Sequence, residues 1–351
     1  MLFPYKYIDN DIELMHEFMQ HIVLDVWCKA NGDFNLDKIG NETLKQIIID
    51  IGNNPRIIKD HLYTPIEEIF NIFKNFTALQ KRTIGDWFIT NNDIENLCDN
   101  TLNIDAITFT DLNFLNTEVS QKINKFFANI YTEVIALSDV EKALGGGLKK
   151  HYKKFTKVND ENICPFCGIH DLKGIDHKPR EAYDHYLPKG TYPFVSINFR
   201  NLAPMCNECN SSYKLKRVPI INNGIRRKAF YPYSEKQFDI KMNLTLFSKN
   251  IDNLKPSDME LNIFSIKFRE QVDTWKDVFR IDERYKAKIA SKKSAKAWLS
   301  EAHTTMNHTQ TPMSREEYIE LLEINARDSP YTKDYLWEIP FIKECKRKGI
   351  I

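Results

Sequence analysis

The chain has 351 residues, of which 42% are hydrophobic and 28% are charged. This length allows two or three domains, and this apolar content excludes a largely disordered chain. No apolar run approaches the ~18 residues of a membrane-spanning helix. The N-terminus turns acidic at once and lacks the basic and then apolar pattern of a signal peptide. We therefore expect a cytoplasmic protein that has no membrane partner.

The formal net charge of +1 conceals a division along the chain. Residues 1–140 carry 11 Lys and Arg against 21 Asp and Glu, whereas the remainder carries 38 against 27. The net charges are −10 and +11. Such asymmetry favours a polyanionic partner for the second part, although two ordinary solvated surfaces would give the same numbers.

Residues 1–144 place apolar side chains at three- and four-residue spacing, which predicts core-facing helices. One stripe runs from Ile12 to Val26 and another from Val119 to Leu137. No set of catalytic residues stands out here. We expect a helical N-terminal region, residues 1–144, that docks a partner or regulates activity, and Gly145-Gly146-Gly147 should end it.

A basic run follows the three glycines. Lysines alternate with aromatic residues there, and the candidates for contact with nucleic acid are Lys149, Lys150, Lys153 and Lys154. Lysines interleaved with aromatic side chains suit a phosphate backbone. A solvated helical face would show the same pattern, so this signal is weak by itself.

Four of the seven cysteines form two Cys-x-x-Cys pairs, Cys164 with Cys167 and Cys206 with Cys209. An odd number of cysteines in a reducing compartment argues for metal rather than for disulfides. Two such turns predict a tetrahedral four-sulfur shell around a structural Zn²⁺ that keeps no open position. The alternatives are a redox Cys-x-x-Cys, buried free thiols, or His170 in place of one ligand.

The segment between the cysteine pairs contains the dipeptide Asp-His twice. Asp184-His185 lies in an aromatic-rich run that predicts a short strand ending at Pro188. Asp176-His177 is followed closely by Pro179, and no partner segment is spaced from it in the same way. We interpret His177 as a loop or surface histidine, with a phosphate contact or a supporting group near the site as the alternative. We place the chemistry at the second pair.

A second extended piece begins at Asn201, and residues 206–216 have a helical pattern. Asn210 and Lys214 are four residues apart, so they share one face of that helix. The amide oxygen of Asn210 and the carboxylate of Asp184 are hard ligands of the kind that Mg²⁺ binds.

The C-terminal part has two further local signals. Apolar residues alternate with polar ones from Phe238 to Leu246, which predicts a strand, and residues 259–267 are a candidate partner for it. Ser314-x-x-Glu317 matches a capping box and predicts that a helix begins there. We expect a strand pair and helices across residues 235–351.

Four motifs in one order, CPFC, YDHYLPK, NLAPMC and CNSSYK, resemble the HNH endonuclease superfamily in its zinc-stapled ββα-metal form. They span about residues 164–217, and asparagine stands where some members have a final histidine. The resemblance implies that His185 is the general base and that Asp184 and Asn210 bind the catalytic ion, Mg²⁺ or Mn²⁺. It also implies that Asn201 orients the loop and the histidine.

The resemblance further implies a fold and an activity. The fold class is α+β and mainly helical, with a small zinc-stapled ββα-metal nuclease core at residues 145–234 between the helical N-terminal region and a mixed C-terminal region. The activity is metal-dependent hydrolysis of phosphodiester bonds, nicking or cutting DNA, which is favoured over RNA. Lys189 and Lys214 join the basic run as candidate contacts to the nucleic acid.

The longer stretch from Asp184 to Lys214 resembles HNH nucleases of prokaryotic anti-phage systems of the Septu and retron-associated types. Some of these are paired with an ATPase, so an ATPase or a related defence component is the expected protein partner. Three alternatives stay open: a zinc-ribbon module that binds nucleic acid without cutting it, a stand-alone restriction nuclease, and a toxin.

Overall fold

The computed structural model describes residues 1–49, 55–101, 104–308, 310–328, 331 and 333–351. The chain is 57% helical and has few, short sheets. The predicted α+β, mainly helical fold class is therefore confirmed. Within the described ranges, no helix combines the length and the apolar character that crossing a bilayer requires.

Two compact units make up the described chain. The larger unit consists of Tyr5–Asn162 and Leu172–Glu235, and the smaller unit consists of Met1–Pro4, Ile163–Asp171 and Lys236–Ile351. These units cut across the three linear regions, because residues 5–162 pack together with the segment around Asp184. The assignment of separate roles to regions 1–144, 145–234 and 235–351 stays a prediction.

The larger unit begins with a series of helices. Their bounds are α1 (Leu14–His21), α2 (Glu42–Ile49), α3 (Pro55–Ile58), α4 (Thr64–Phe73), α5 (Ala78–Asn92), α6 (Ile94–Asp99), α7 (Phe109–Leu115), α8 (Thr117–Asn129), α9 (Ser138–Ala143) and α10 (Leu148–Val158). Wider π-helical turns continue three of them, at Ile22–Trp27, Lys59–Tyr63 and Ile130–Val134.

Local hydrogen bonds set where several of these helices begin. Thr77 and Gln80 form a reciprocal cap on α5, with Thr77 Oγ1 accepting from the Gln80 N–H at 3.2 Å and Gln80 Oε1 accepting from the Thr77 N–H at 2.9 Å. Asn116 caps α8 by accepting from the Val119 N–H at 2.9 Å. The apolar side chains of the two predicted stripes pack in one hydrophobic core.

The predicted break at the glycines is confirmed. Helix α9 ends at Ala143 and α10 begins at Leu148, and Gly145 between them has a φ of +76°. Only glycine adopts that left-handed conformation without a steric cost. Helix α10 is strongly two-sided, since its lysines are exposed whereas His151 and Phe155 are buried.

Two short hairpins complete the larger unit. Strands β1 (Ala182–His185) and β2 (Leu202–Met205) pair antiparallel, with Asp184 opposite Ala203 and His185 opposite Leu202. A helical segment follows β2 directly and includes a π-helical turn at Cys209–Lys214. Strands β3 (Ile221–Asn222) and β4 (Ile225–Arg226) form the second hairpin. The strand-strand-helix order expected for residues 182–216 is confirmed.

His151 is a buried titratable group in this core. It is 2% exposed, its Nδ1 contacts the Tyr183 hydroxyl, and its ring packs against Phe199. Its buried Nε2 has no hydrogen-bond partner among the described residues. Burial, assisted by the charges of Lys154 and Arg180, lowers the pKa of His151 to about 4.

This lowered pKa predicts acid sensitivity. An unfolded histidine titrates near 6.5, so the stabilisation from neutral His151 is complete above that pH and is lost as the pH falls towards 4. We expect the free energy of unfolding to fall by about 3 kcal/mol from this group across that range. Urea denaturation at several pH values measures it. His151→Phe should flatten the dependence, whereas His177→Phe, at an exposed position, should leave it unchanged.

The smaller unit contains the predicted strand pair. Strands β5 (Lys241–Leu246) and β6 (Met259–Phe264) pair antiparallel, and the alternate residues Met242, Leu244 and Leu246 are buried. The helices that accompany them are α11 (Arg269–Phe279), α12 (Ile281–Ala290), α13 (Ala297–Met306), α14 (Arg315–Asp328) and α15 (Tyr335–Lys348).

The capping box predicted before α14 is confirmed. The Ser314 N–H donates to Glu317 Oε2 at 2.6 Å, and Ser314 Oγ accepts from the Glu317 N–H at 3.2 Å. Helix α15 is tied to β5, because Glu344 Oε1 accepts from the Leu246 N–H at 2.9 Å.

Candidate active site

The hairpin β1–β2 presents the second Asp-His pair. Successive residues of a strand point to opposite faces, so Asp184 and His185 leave β1 in different directions. The strand ends at His185, three residues before Pro188, as the proline predicts. Asp184 is 6% exposed and His185 is mostly buried.

Asn201 holds the loop that follows β1. Its side chain is fully buried, its Oδ1 accepts from the Leu187 N–H at 2.7 Å, and its Nδ2 donates to the Leu187 carbonyl at 3.0 Å. The same Nδ2 donates to the Val195 carbonyl at 3.3 Å. These bonds connect both ends of the segment between Leu187 and Val195. Asn201 therefore acts on the loop and does not face the cavity.

The ring of His185 is held from two sides. Its Nε2 lies 3.0 Å from the Ser196 carbonyl oxygen, and its ring meets the edge of Tyr131 at a centroid distance of 4.6 Å. Ser196 is itself fixed, because its Oγ donates to the Phe127 carbonyl at 2.7 Å. Phe127 lies on α8 and Tyr131 on the π-helical turn after it, so the helical region orients the histidine.

The surroundings of His185 favour its neutral form. Burial lowers its pKa most, the charge of Lys189 adds to the effect, and the result is a pKa of about 3 despite the opposing hydrogen bond to Ser196. A carbonyl oxygen can only accept a hydrogen bond, so Nε2 carries the ring proton and Nδ1 keeps a free lone pair. His185 is thus a neutral acceptor at pH 7.

Asp184 forms a buried ion pair with Lys214. The Lys214 side chain is fully buried, and its Nζ lies 2.8 Å from Asp184 Oδ2 and donates to the His185 carbonyl at 2.9 Å. The approach to Oδ2 is that of an ion pair without the direction of a good hydrogen bond. Burial raises the pKa of Asp184, and the charge of Lys214 opposes that rise.

Asp184, His185 and Asn210 line a single cavity of about 420 Å³. Asn210 reaches it from the helical segment after β2, one residue beyond Cys209. The cavity is therefore lined by an aspartate, a histidine and an asparagine from two adjacent elements. A carboxylate and an amide oxygen suit a hard divalent cation such as Mg²⁺.

The four paired cysteines are buried, and their sulfur atoms all lie within 4.8 Å of one another. A tetrahedral zinc ion with 2.3 Å bonds separates its sulfurs by about 3.8 Å, so the cluster can hold zinc. Backbone N–H groups point at two of the sulfurs, from Ile169 to Cys167 and from Cys209 to Cys206, both at 3.4 Å. Gly168, after the first pair, has a φ of +67°.

The predicted nucleic-acid contacts lie in three different settings. Lys189 lines the cavity, half-buried, with its Nζ 4.6 Å from the centre of the Tyr131 ring. Lys214 is fully buried in its ion pair with Asp184. The basic run is exposed along α10, where Lys150 also lies 3.3 Å from Asp11. The assignment of these lysines to nucleic-acid binding stays a prediction.

Several residues around the cavity carry no sequence signal that reveals them. Asn124 and Ala128 line it from α8, and Tyr131 reaches His185 from the turn that follows. The π-helical form of that turn is common at functional sites, but it is not readable from the residues. Lys216 also lines the cavity, and the basic sequence Lys214 to Arg217 was a usable signal for it.

One curated protein gives a distant match. The chain is 27% identical over 179 residues to a protein of Bacillus thuringiensis described as "Septu protein PtuB", and the match covers 46% of this chain and 68% of that protein. No family model matches the chain. No solved structure matches it either. The similarity supports the predicted relation to Septu-type proteins, whereas membership of the HNH superfamily stays a prediction.

Proposed function

We propose that this protein is a metal-dependent endonuclease of the HNH type that cuts DNA. The observation that carries the proposal is the cavity shared by Asp184, His185 and Asn210. The three side chains supply what hydrolysis of a phosphodiester needs: a base for water, and two oxygen ligands for a divalent ion. A purely structural zinc module needs neither the buried carboxylate nor the oriented imidazole.

His185 is the proposed general base, acting through Nδ1. Its Nε2 is occupied by the Ser196 carbonyl, so only Nδ1 is free to take a proton from water. In the free protein its pKa of about 3 makes it a weak base. A bound phosphodiester brings negative charge beside the ring, and that charge opposes the lowering of the pKa.

Asp184 and Asn210 would hold the catalytic Mg²⁺ or Mn²⁺. Such an ion, when bound, neutralises charge on the phosphate and on the departing oxygen. Lys214 keeps the Asp184 carboxylate ionised and in place, and Asn201 fixes the loop that leads to Lys189 and Ser196. The zinc of the cysteine cluster would serve structure alone, since four thiolates fill its coordination shell.

The proposed substrate is duplex DNA, held by lysines of the cavity and of α10. Lys189 and Lys216 line the cavity, and Lys149, Lys153 and Lys154 are exposed on one face of α10. Rows of lysine of this kind bind phosphates and make binding weaken with salt.

The proposed role is anti-phage defence together with a partner protein. The relation to a Septu protein supports this role, and an ATPase encoded beside the nuclease is the proposed partner. The partner would dock on the acidic region, residues 1–140. Because Phe127 and Tyr131 of that region hold His185 in position, a partner docked there could change the position of the base.

Cleavage of supercoiled plasmid tests the proposed activity. We expect nicked plasmid in Mg²⁺ or Mn²⁺ and none in EDTA, because the reaction needs the divalent ion. Zinc content is measured on the same samples, so that loss of activity in EDTA is assigned to the catalytic ion only where zinc is retained. The assay is run for the protein alone and with the neighbouring ATPase. Intact plasmid under all these conditions, with DNA still bound, would identify a binding module instead.

A further inference from the structure

Leu215 has an unfavourable backbone conformation at the rim of the cavity. It follows the π-helical turn Cys209–Lys214, and its φ of +49° and ψ of −122° lie where glycine is favoured and side chains are strained. Its neighbours hold it there. Its N–H donates to the Asn210 carbonyl at 3.2 Å, and the Arg217 N–H donates to the Lys214 carbonyl at 2.8 Å.

The other positive-φ residues that carry side chains have ordinary explanations. Asn100, Asn162 and Asn223 are asparagines, which tolerate this region. Arg280 lies between two helices as a left-handed cap, and Phe194 is buried in the aromatic core against Phe88 and Phe127.

Leu215 differs from these residues, because it is an apolar side chain that is 55% exposed. Neither burial in the core nor side-chain polarity compensates for its strain. Within the described ranges it is the one exposed aliphatic residue at a positive φ. Leu215 lines the same cavity as Asp184, His185 and Lys216, so a substrate in the cavity would contact it.

We infer that Leu215 is a wedge that enters the base stack of duplex DNA next to the scissile phosphate. This inference rests on the proposed nuclease function and adds a determinant of site choice. Apolar side chains that insert at a base step partly unstack it, and burial of the side chain offsets the cost. Pyrimidine–purine steps such as TA open most easily, whereas A-tracts are stiff. Cleavage should therefore concentrate at pyrimidine–purine steps.

A binding experiment separates the wedge from catalysis. The probe is an alternating TA duplex with 2-aminopurine in place of one adenine, whose fluorescence rises on unstacking, and an A-tract duplex with the same label is the comparison. The protein is the His185→Ala variant, so that the DNA is not cut. We expect a severalfold fluorescence rise on the TA duplex and little on the A-tract. Adding Leu215→Gly or Leu215→Ala should abolish the rise and weaken TA binding by about tenfold.

The melting temperature is a second readout, and it distinguishes a strained wedge from a leucine that only stabilises the fold. Glycine relieves the strain, so Leu215→Gly should raise Tm by about 2–4 °C while it lowers DNA unstacking. The matched control is Leu79→Ala on α5, a leucine that is 74% exposed. This change should leave fluorescence and affinity unchanged.

In the wild-type protein, sequencing of plasmid ends should show the preference for pyrimidine–purine steps, and Leu215→Gly should erase it.

The outcomes distinguish the two proposals. Failure of the His185→Ala protein to bind either duplex would overturn both the nuclease and the wedge. Binding without a fluorescence rise, or a rise that survives Leu215→Gly, would overturn the wedge and leave the nuclease standing. A fall in Tm for Leu215→Gly would show that the backbone at Leu215 is not strained, and the inference depends on that strain.

Discussion

His185→Ala should lower the rate of DNA cleavage by about 10²- to 10⁴-fold, the range that a general base contributes. The expected loss lies in kcat, because the ring acts on water and does not hold the strand. DNA affinity and the fold should stay close to those of the wild-type protein. Time courses of plasmid nicking in Mg²⁺ measure the rate, and filter binding measures affinity. Added imidazole should restore part of the lost rate in the alanine variant.

The sequence supplies its own control for this experiment. His177 is the histidine of the first Asp-His pair and is exposed, so His177→Ala should retain full activity. Equal rates for His185→Ala and the wild-type protein would remove His185 as the base. A loss in His177→Ala comparable to that in His185→Ala would mean that the wrong pair had been assigned.

Lys214→Met should destabilise the protein by about 3–5 kcal/mol, because it leaves the buried Asp184 carboxylate without its counter-charge. The cation is fully buried and 2.8 Å from that carboxylate, so water cannot replace it. The deficit should shrink as the pH falls, since burial already raises the pKa of Asp184 and a protonated carboxyl needs no partner. Urea denaturation at pH 7 and at pH 5 measures both effects.

Two comparisons make this second prediction specific. Lys216→Met changes an exposed lysine two positions away and should alter stability by about 0.5 kcal/mol or less. The double variant Asp184→Asn with Lys214→Met should recover much of the lost stability, because both buried charges are then gone. A Lys214→Met protein as stable as Lys216→Met would show that the pair contributes nothing.

The cysteine cluster and the residues proposed for hydrolysis could be predicted from the sequence because each motif is local. The two Cys-x-x-Cys pairs predict a four-sulfur cluster by spacing alone, and the four sulfurs do lie together. Turn residues and periodicity predict three short elements: the strand that ends before Pro188, the extended piece at Asn201 and the helical segment up to Lys214. These short elements also explain why Asp184 and Asn210 reach one cavity.

The burial and the contact partners of each of these groups could not be predicted from the sequence. Lys214 and Lys216 are both lysines in one basic sequence, yet the first is fully buried and the second is exposed. Whether such a side chain meets DNA or a carboxylate depends on which strand packs over the helix. That packing is a property of the folded chain and leaves no mark on residue spacing.

By itself, the sequence determined the class of fold and the cysteine cluster, since propensity, spacing and side-chain chemistry act over a few positions. It also predicted the residues that we propose for hydrolysis. Only the tertiary structure decided that Tyr131 and Phe127, from the helical region, hold His185, and that Lys214 is withdrawn from solvent. These contacts join residues 30 to 69 positions apart. They arise from burial of apolar surface throughout the core, and that burial has no local pattern.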